Sequence, residues 1–256
     1  SLESSLGSSD ALRGICGLPV STYFTGVKLR WMLDNVESVR TAVHQGRALV
    51  GTIDSWLVWK LSGGERHATD VTNASRTMLM NLQSGAWDES AAEQLGVSAA
   101  FSALPEIASS AEHFGTVSEE YALGGVPITG CIGDQQSAMV GQRCFEPGDA
   151  KTTFGTGAFT LMNTGDEPCS SEHGLLTTAL YQMGRDSKIQ YALEGSVGSC
   201  AVGLNWLCDS LGLFKNAPEI SELASDVSLG ADGVYFVSAF GGLFAPHWRD
   251  DDRFFW

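Results

Sequence analysis

The hydrophobic pattern of the chain changes period once, near residues 143–148, and that change limits its folds more than any other feature. Before it, apolar residues recur at helical spacing. Residues 28–33 and 36–44 read as helix, with Val36, Val39 and Val43 on one face and Gly46 as a stop. Asp54 is placed to cap a helix through Trp56, Leu57 and Trp59 that ends at Gly63 and Gly64. Asp88 is placed to cap another that ends at Gly96. The apolar run 126–133 reads as a buried strand that stops at Asp134, with a helix following in 135–142. After the change, strands dominate. Residues 151–162 read as strand, turn and strand, 175–183 and 189–194 as two further strands, and 234–239 as a last one. Helices are predicted at 198–211, ending at Gly212, and at 218–227. Mixed elements of this kind predict an α/β fold of packed layers, with a domain boundary near 143–148.

Composition narrows what such a fold can do. At roughly 150 residues per domain, 256 residues make one to two domains. Acidic residues number 30 and basic residues 15, a formal net charge of −15. A phosphate-tracking nucleic-acid binder needs a basic face, and so does a protein docked on an anionic membrane, so both are excluded as expectations. The longest uncharged run, 233–248, contains Pro246 and falls short of the about 20 apolar residues that span a bilayer. Residues 1–14 show no apolar core segment of a signal peptide. Cys16, Cys131, Cys144, Cys169, Cys200 and Cys208 form no CxxC pair and are predicted to be buried free thiols of a cytoplasmic protein. The five histidines have no ligand spacing, so no protein-ligated metal is expected.

Three segments could carry chemistry. In GDQQ, 133–136, a carboxylate at the end of a strand would face the crevice where α/β proteins bind ligands. Asp134 could accept a proton from a substrate hydroxyl while Gln135 hydrogen-bonds the same molecule. Spacing alone does not choose between that role and a helix cap. In TFGTGAF, 153–159, two glycines around Thr156 would let backbone amides and a hydroxyl approach phosphate oxygens. A tight hairpin turn explains the same letters. In YFTGVKLRWMLDN, 23–35, aromatic and basic residues share a helix start, and amphipathic packing with Trp31 and Leu33 in the core is the simpler reading.

Taken in order, these segments resemble the FGGY carbohydrate kinase family. YFTGVKLRWMLDN is similar to its first signature, with Lys28, Trp31 and Asn35 in place. GTIDSWLVWKL and TDVTNASRTMLMNL resemble its glycerol-phosphorylating members in particular. GDQQSAMVGQ, TFGTGAFTLMNTG, HGLLTT, YALEGSV and GLFAPHWRDD follow in family order. The resemblance implies an actin/hexokinase-like (ribonuclease H-like) two-domain α/β kinase fold. Residues 1–145 would be a partial substrate domain and 146–256 a partial nucleotide domain. It implies transfer of the γ-phosphate of ATP to glycerol, giving sn-glycerol 3-phosphate and ADP, with ATP and Mg²⁺ as cofactors. Asp134 is then the general base, Tyr23, Asp134 and Gln135 contact glycerol, and Phe159 packs on its carbon chain. Thr156, with Gly155 and Gly157, lies near the transferred phosphate, and Ala201 and Asn205 match later ATP contacts. Within the family, a Gln directly after the Asp favours glycerol over pentuloses.

The resemblance also implies a cytoplasmic enzyme that can form a homo-oligomer, with no nucleic-acid partner and no membrane insertion. The chain is expected to be partial, without the family's first phosphate-binding turn and its C-terminal adenosine-binding half. Asp252 to Trp256 and His247 depart from the family pattern. Another FGGY sugar kinase, or a non-catalytic binding or assembly protein on the same fold, is the alternative.

Overall fold

The computed structural model describes residues 6–249 apart from 226, 228, 229 and 232. The departures at 252–256 therefore lie outside the described residues. The chain divides into two compact units. The first comprises Ser1–Ala150, Met162–Ser171 and Leu176–Leu193, and the second Lys151–Leu161, Glu172–Leu175 and Glu194–Trp256.

The first unit opens with helices α1 (Arg13–Cys16), α2 (Thr25–Asn35), α3 (Glu37–His44) and α4 (Ile53–Leu61). Strand β1 (Ala68–Asp70) leads directly into α5 (Val71–Ala74), then a short hairpin of β2 (Met80–Asn81) and β3 (Ala86–Trp87). Helix α6 (Glu89–Leu95) follows, and β4 (Glu106–Ala108) returns parallel to β1 in the register Thr69 with Ile107. Helix α7 (Asp134–Gly141) comes next. A four-stranded sheet has the order β5 (Ala150–Phe154), β6 (Ala158–Gly165), β8 (Gln190–Val197), β7 (Leu176–Tyr181). The second unit adds α8 (Ala201–Asn205), a wider π turn at Trp206–Ser210, and α9 (Ala217–Ser225).

Local chemistry explains several of these boundaries. Asp88 starts α6 by accepting from the Ala91 amide at 2.8 Å, and Gly96 closes it in the left-handed region at φ 69°. Asp70 starts α5 in the same way, accepting from Asn73 N at 3.0 Å. Among the described residues, two apolar clusters pack in the first unit. Val71, Ala74, Met80, Leu82, Ala179 and Tyr191 form one. Val58, Ala68, Ala108 and Phe114 form the other, with Ile128 and Cys131 packed on it.

Five expectations need correction. Residues 126–133 are not a buried strand: only an isolated bridge joins Pro127 to Thr116, and Val126 is exposed. Pro127 has no N–H to give a ladder, and the run lies irregularly along 114–117, with Phe114 N bonded to Ile128 O at 2.8 Å. Asp54 does not cap α4. Thr52 takes that place, and Asp54 turns inward to receive the Thr69 hydroxyl. Trp31 is 60% exposed and only Leu33 is in the core, because the buried stripe of α2 runs through Leu29 and Leu33. Residues 234–239 form no strand; Val234 and Tyr235 are exposed there, and no neighbouring strand among the described residues pairs with them. All six cysteines are free, but only Cys16 and Cys144 are buried.

Candidate functional site

The candidate residues fall into two groups, one in each unit. In the first unit, Asp134 is the first residue of α7, with Gly133 at the cap position. Its carboxylate is exposed and accepts from the Gln135 amide at 2.7 Å. A carboxylate in the first turn also gains from the helix dipole. Gln136, one residue on, is buried, so the turn presents Asp134 outward while Gln136 anchors it. Gly133 lets Gln136 fold back against the cap, since a Cβ there would meet Gln136 Oε1 at 2.6 Å and push that side chain aside. Tyr23 stands just before α2, half exposed, its ring set edge-on to buried Phe24 with centroids 5.2 Å apart. Its carbonyl receives Lys28 Nζ at 3.1 Å.

The segment between these helix starts, residues 70–77, touches both. Thr72 Oγ1 accepts from Gly133 N at 2.8 Å. Thr77 O accepts from Gly26 N at 2.8 Å, within the first turn of α2. The Arg76 guanidinium lies over the Phe24 ring, 5.5 Å from its centroid.

Beneath the Asp134 helix start lie two buried carboxylates, Asp54 and Asp70, which with Cys131 place ligand atoms within 4.8 Å of one another. They do not suit a metal. Asp70 is filled by donors from Thr72, Asn73 and Ser110, and Asp54 by the hydroxyls of Thr52 and Thr69. Burial pushes the Asp70 carboxyl up, against the pull of these hydrogen bonds. Burial and the two carboxylates push the Cys131 thiol up. Mg²⁺ takes oxygen ligands and keeps waters beside one or two carboxylates and substrate phosphates. The exposed carboxylate of Asp134 fits that pattern.

In the second unit, the turn 155–157 joins β5 to β6. Gly155 N bonds to Gly157 O at 2.8 Å, so this is the hairpin turn that the letters also allowed. Its carbonyls face the start of α8: Ala201 N donates to Gly155 O at 3.0 Å and Cys200 N to Thr156 O at 2.7 Å. The Thr156 side chain is left exposed at the tip. Gly157 is buried, and a Cβ on it would meet Val197 O at 2.6 Å and the Phe159 ring at 3.2 Å. Phe159 is half-buried. Asn205 lies exposed at the end of α8.

Sequence reasoning missed Asp70, Thr72 and Arg76. The signal available was TDVTN, an Asp three residues before an Asn, which spells a helix cap but says nothing about a contact to Gly133. It also assigned no role to Glu194, which is buried in β8 and accepts from the Ser196 hydroxyl at 2.9 Å.

Comparison with known proteins matches residues 1–141 to the FGGY family of carbohydrate kinases, N-terminal domain, and residues 150–256 to its C-terminal domain. The chain is 52% identical to a probable glycerol kinase of Dictyostelium discoideum, over 98% of this chain and 48% of that one. It is 51% identical to a glycerol kinase of Arabidopsis thaliana, over 93% of this chain and 45% of that one. The chain thus spans about half the length of the curated relatives it matches. Among solved structures it resembles the Plasmodium falciparum glycerol kinase with ADP, at TM-score 0.87 and 39% identity over 98% of this chain and 51% of that one. A xylulose kinase of Lactobacillus acidophilus shares the fold at TM-score 0.81 and 22% identity, over 98% of this chain and 49% of that one.

Proposed function

The chain belongs to the FGGY family of carbohydrate kinases, with their actin/hexokinase-like fold, and we propose that its protein transfers the γ-phosphate of ATP to glycerol. Residues 1–145 would bind the polyol and 146–256 part of the nucleotide. The observation that carries this reading is Asp134: an exposed carboxylate on a braced helix start, followed directly by Gln135, in a chain about half identical to glycerol kinases.

The chemistry asks little covalent work of the protein. Phosphoryl transfer is governed by positioning and charge neutralisation. Asp134 accepts the proton of the reacting hydroxyl as the new O–P bond forms and the bond from the γ-phosphorus to the β,γ-bridging oxygen breaks, with ADP as the leaving group. Gln135 offers one acceptor and two donors to adjacent hydroxyls of a polyol. Tyr23 adds an aromatic wall and a phenol, and Phe159 packs on the carbon chain. Thr156, with the Gly155 and Gly157 backbone, serves the transferred phosphate, and Ala201 and Asn205 serve the nucleotide. Mg²⁺, when bound with ATP, supplies neutralisation of phosphate charge, and Asp134 is the residue of this chain that would face it.

A coupled ADP-release assay on the full-length protein tests the reading. ADP release that depends on glycerol, and is slower with a pentulose, is expected. ATP-analogue binding with no acceptor-dependent release would overturn it in favour of a non-catalytic role, and a preference for the pentulose would reassign the substrate.

A further inference from the structure

The hydroxyl of Thr72 is fully buried and has a single proton. That proton is committed to Asp70, whose Oδ1 and Oδ2 lie 2.8 and 2.9 Å away. Only its lone pairs remain, and they face the amide of Gly133 at 2.8 Å. Asp70 is itself held on every side by donors. Asn73 N and Nδ2 reach Oδ1, and the Ser110 hydroxyl reaches Oδ2 at 2.7 Å. Ser110 obeys the same logic, because its oxygen also receives the Gln182 amide and its proton is free for Asp70. The Ser110 carbonyl meanwhile accepts from Cys131 N at 3.0 Å. The approach to α7 is therefore fixed twice, at Cys131 and at Gly133, by groups arranged around one buried carboxylate.

We propose that Asp70 and Thr72 are positioning residues for phosphoryl transfer, holding Gly133 and thereby setting where the Asp134 carboxylate stands relative to the bound polyol. This rests on the reading of Asp134 as base. The opposite end of the same segment holds the other substrate-side helix start, through Thr77 to Gly26 and Arg76 to Phe24 beneath Tyr23. One short segment thus holds both helix starts of the glycerol half-site, with Thr72 on the side of Asp134 and Arg76 and Thr77 on the side of Tyr23. Misplacement of a reacting group by about 1 Å can lower a rate on the order of 10²-fold. Polyol affinity, shared among several contacts, responds less.

The test uses the full-length protein with Thr72→Val, Thr72→Ser, Asp134→Asn and the Thr72→Val/Asp134→Asn double variant. Thr72→Val keeps the shape and removes the acceptor. It should lower kcat by about tenfold or more while glycerol KM stays within about threefold. Thr72→Ser keeps the hydroxyl and should restore kcat to within about threefold of the parent. With the base already gone, Thr72→Val should slow the double variant by less than about twofold beyond Asp134→Asn. A general structural role would instead lower both backgrounds equally. Should Thr72→Val fail to fold, Asp70→Asn carries the same test. It leaves one acceptor, at Oδ1, and puts a donor where Oδ2 took the Thr72 and Ser110 hydroxyls, so the fixed orientation of both hydroxyls is lost and the same selective loss of kcat is expected. Unchanged kcat in Thr72→Val, failure of Thr72→Ser to rescue, or equal losses in both backgrounds would overturn the inference while leaving Asp134 as base. An active Asp134→Asn, or a parent protein without turnover, would overturn the functional reading and this inference with it.

Discussion

The amide of Ala201 donates to the carbonyl of Gly155 across 3.0 Å, so the tip of the β5–β6 hairpin and the first turn of α8 are one unit of backbone. The candidate phosphate residue Thr156 and the candidate nucleotide residue Ala201 thus move together. What keeps the turn this close is Gly157, packed where a side chain would strike Val197 O at 2.6 Å. Gly157→Ala is therefore expected to displace the turn, since overpacking of this kind costs about 1–3 kcal/mol. Affinity for an ATP analogue, measured by calorimetry, should fall by about 5- to 150-fold on that scale. Glycerol affinity should change less. ATP-analogue affinity equal to that of the parent would show that the turn has no part in nucleotide binding.

Phe159 offers a second check, this time on specificity. Its half-buried ring packs beside Gly157, and in the proposed role it covers the carbon chain of the polyol. Phe159→Ala should enlarge the pocket and relax discrimination against a four-carbon polyol, where one methylene is worth about 1–3 kcal/mol. The measurement is the ratio of kcat/KM for glycerol and the longer polyol. A ratio identical to the parent's would remove Phe159 from the substrate pocket.

Acid stability should report on Arg185. Its guanidinium bonds Glu112 and also reaches Glu106 at 2.8 Å, and Glu106 is bonded by Arg66 at 2.6 Å as well. Arg66 and then Arg185 hold the Glu106 carboxyl below its ordinary value, and Arg185 does so for Glu112. Folded-state carboxyls that are depressed stabilise the protein above their ordinary value of 4.5, and that stability is lost as pH falls through the lower folded values. Arg185→Met should therefore lower the urea midpoint at pH 7, and the gap from the parent should close as pH drops below 4.5. Added salt should narrow the gap at pH 7, because these groups are near the surface. A gap that persists unchanged at pH 3 would mean that Arg185 acts by packing, not charge.

Much of this was legible in the letters wherever the cause was local. Asp88 and Gly96 bracket α6 because a side-chain cap and a left-handed residue act within a few positions. The FGTG turn and its flanking strands were readable for the same reason. Residues 126–133 and 234–239 misled because an apolar run becomes a strand only when a partner is aligned beside it, and alignment is not written locally. Asp134 was legible as a candidate, but its support was not. Thr72 and Gly133 are separated by 61 positions, and nothing in either stretch announces that one hydroxyl will hold the other's amide. Asp54 shows the same limit: its spelling suits a helix cap, yet a buried threonine fifteen positions away claims it.

In the proposed reaction Asp134 takes the proton from glycerol. The most direct measurement is kcat of Asp134→Asn in the full-length protein, alongside glycerol affinity by calorimetry. Asn keeps the shape and one acceptor, so affinity should weaken little, while kcat should fall on the order of 10²-fold or more, the scale of general-base loss. A kcat within about threefold of the parent would contradict the account, because a base that matters cannot be removed at so small a cost.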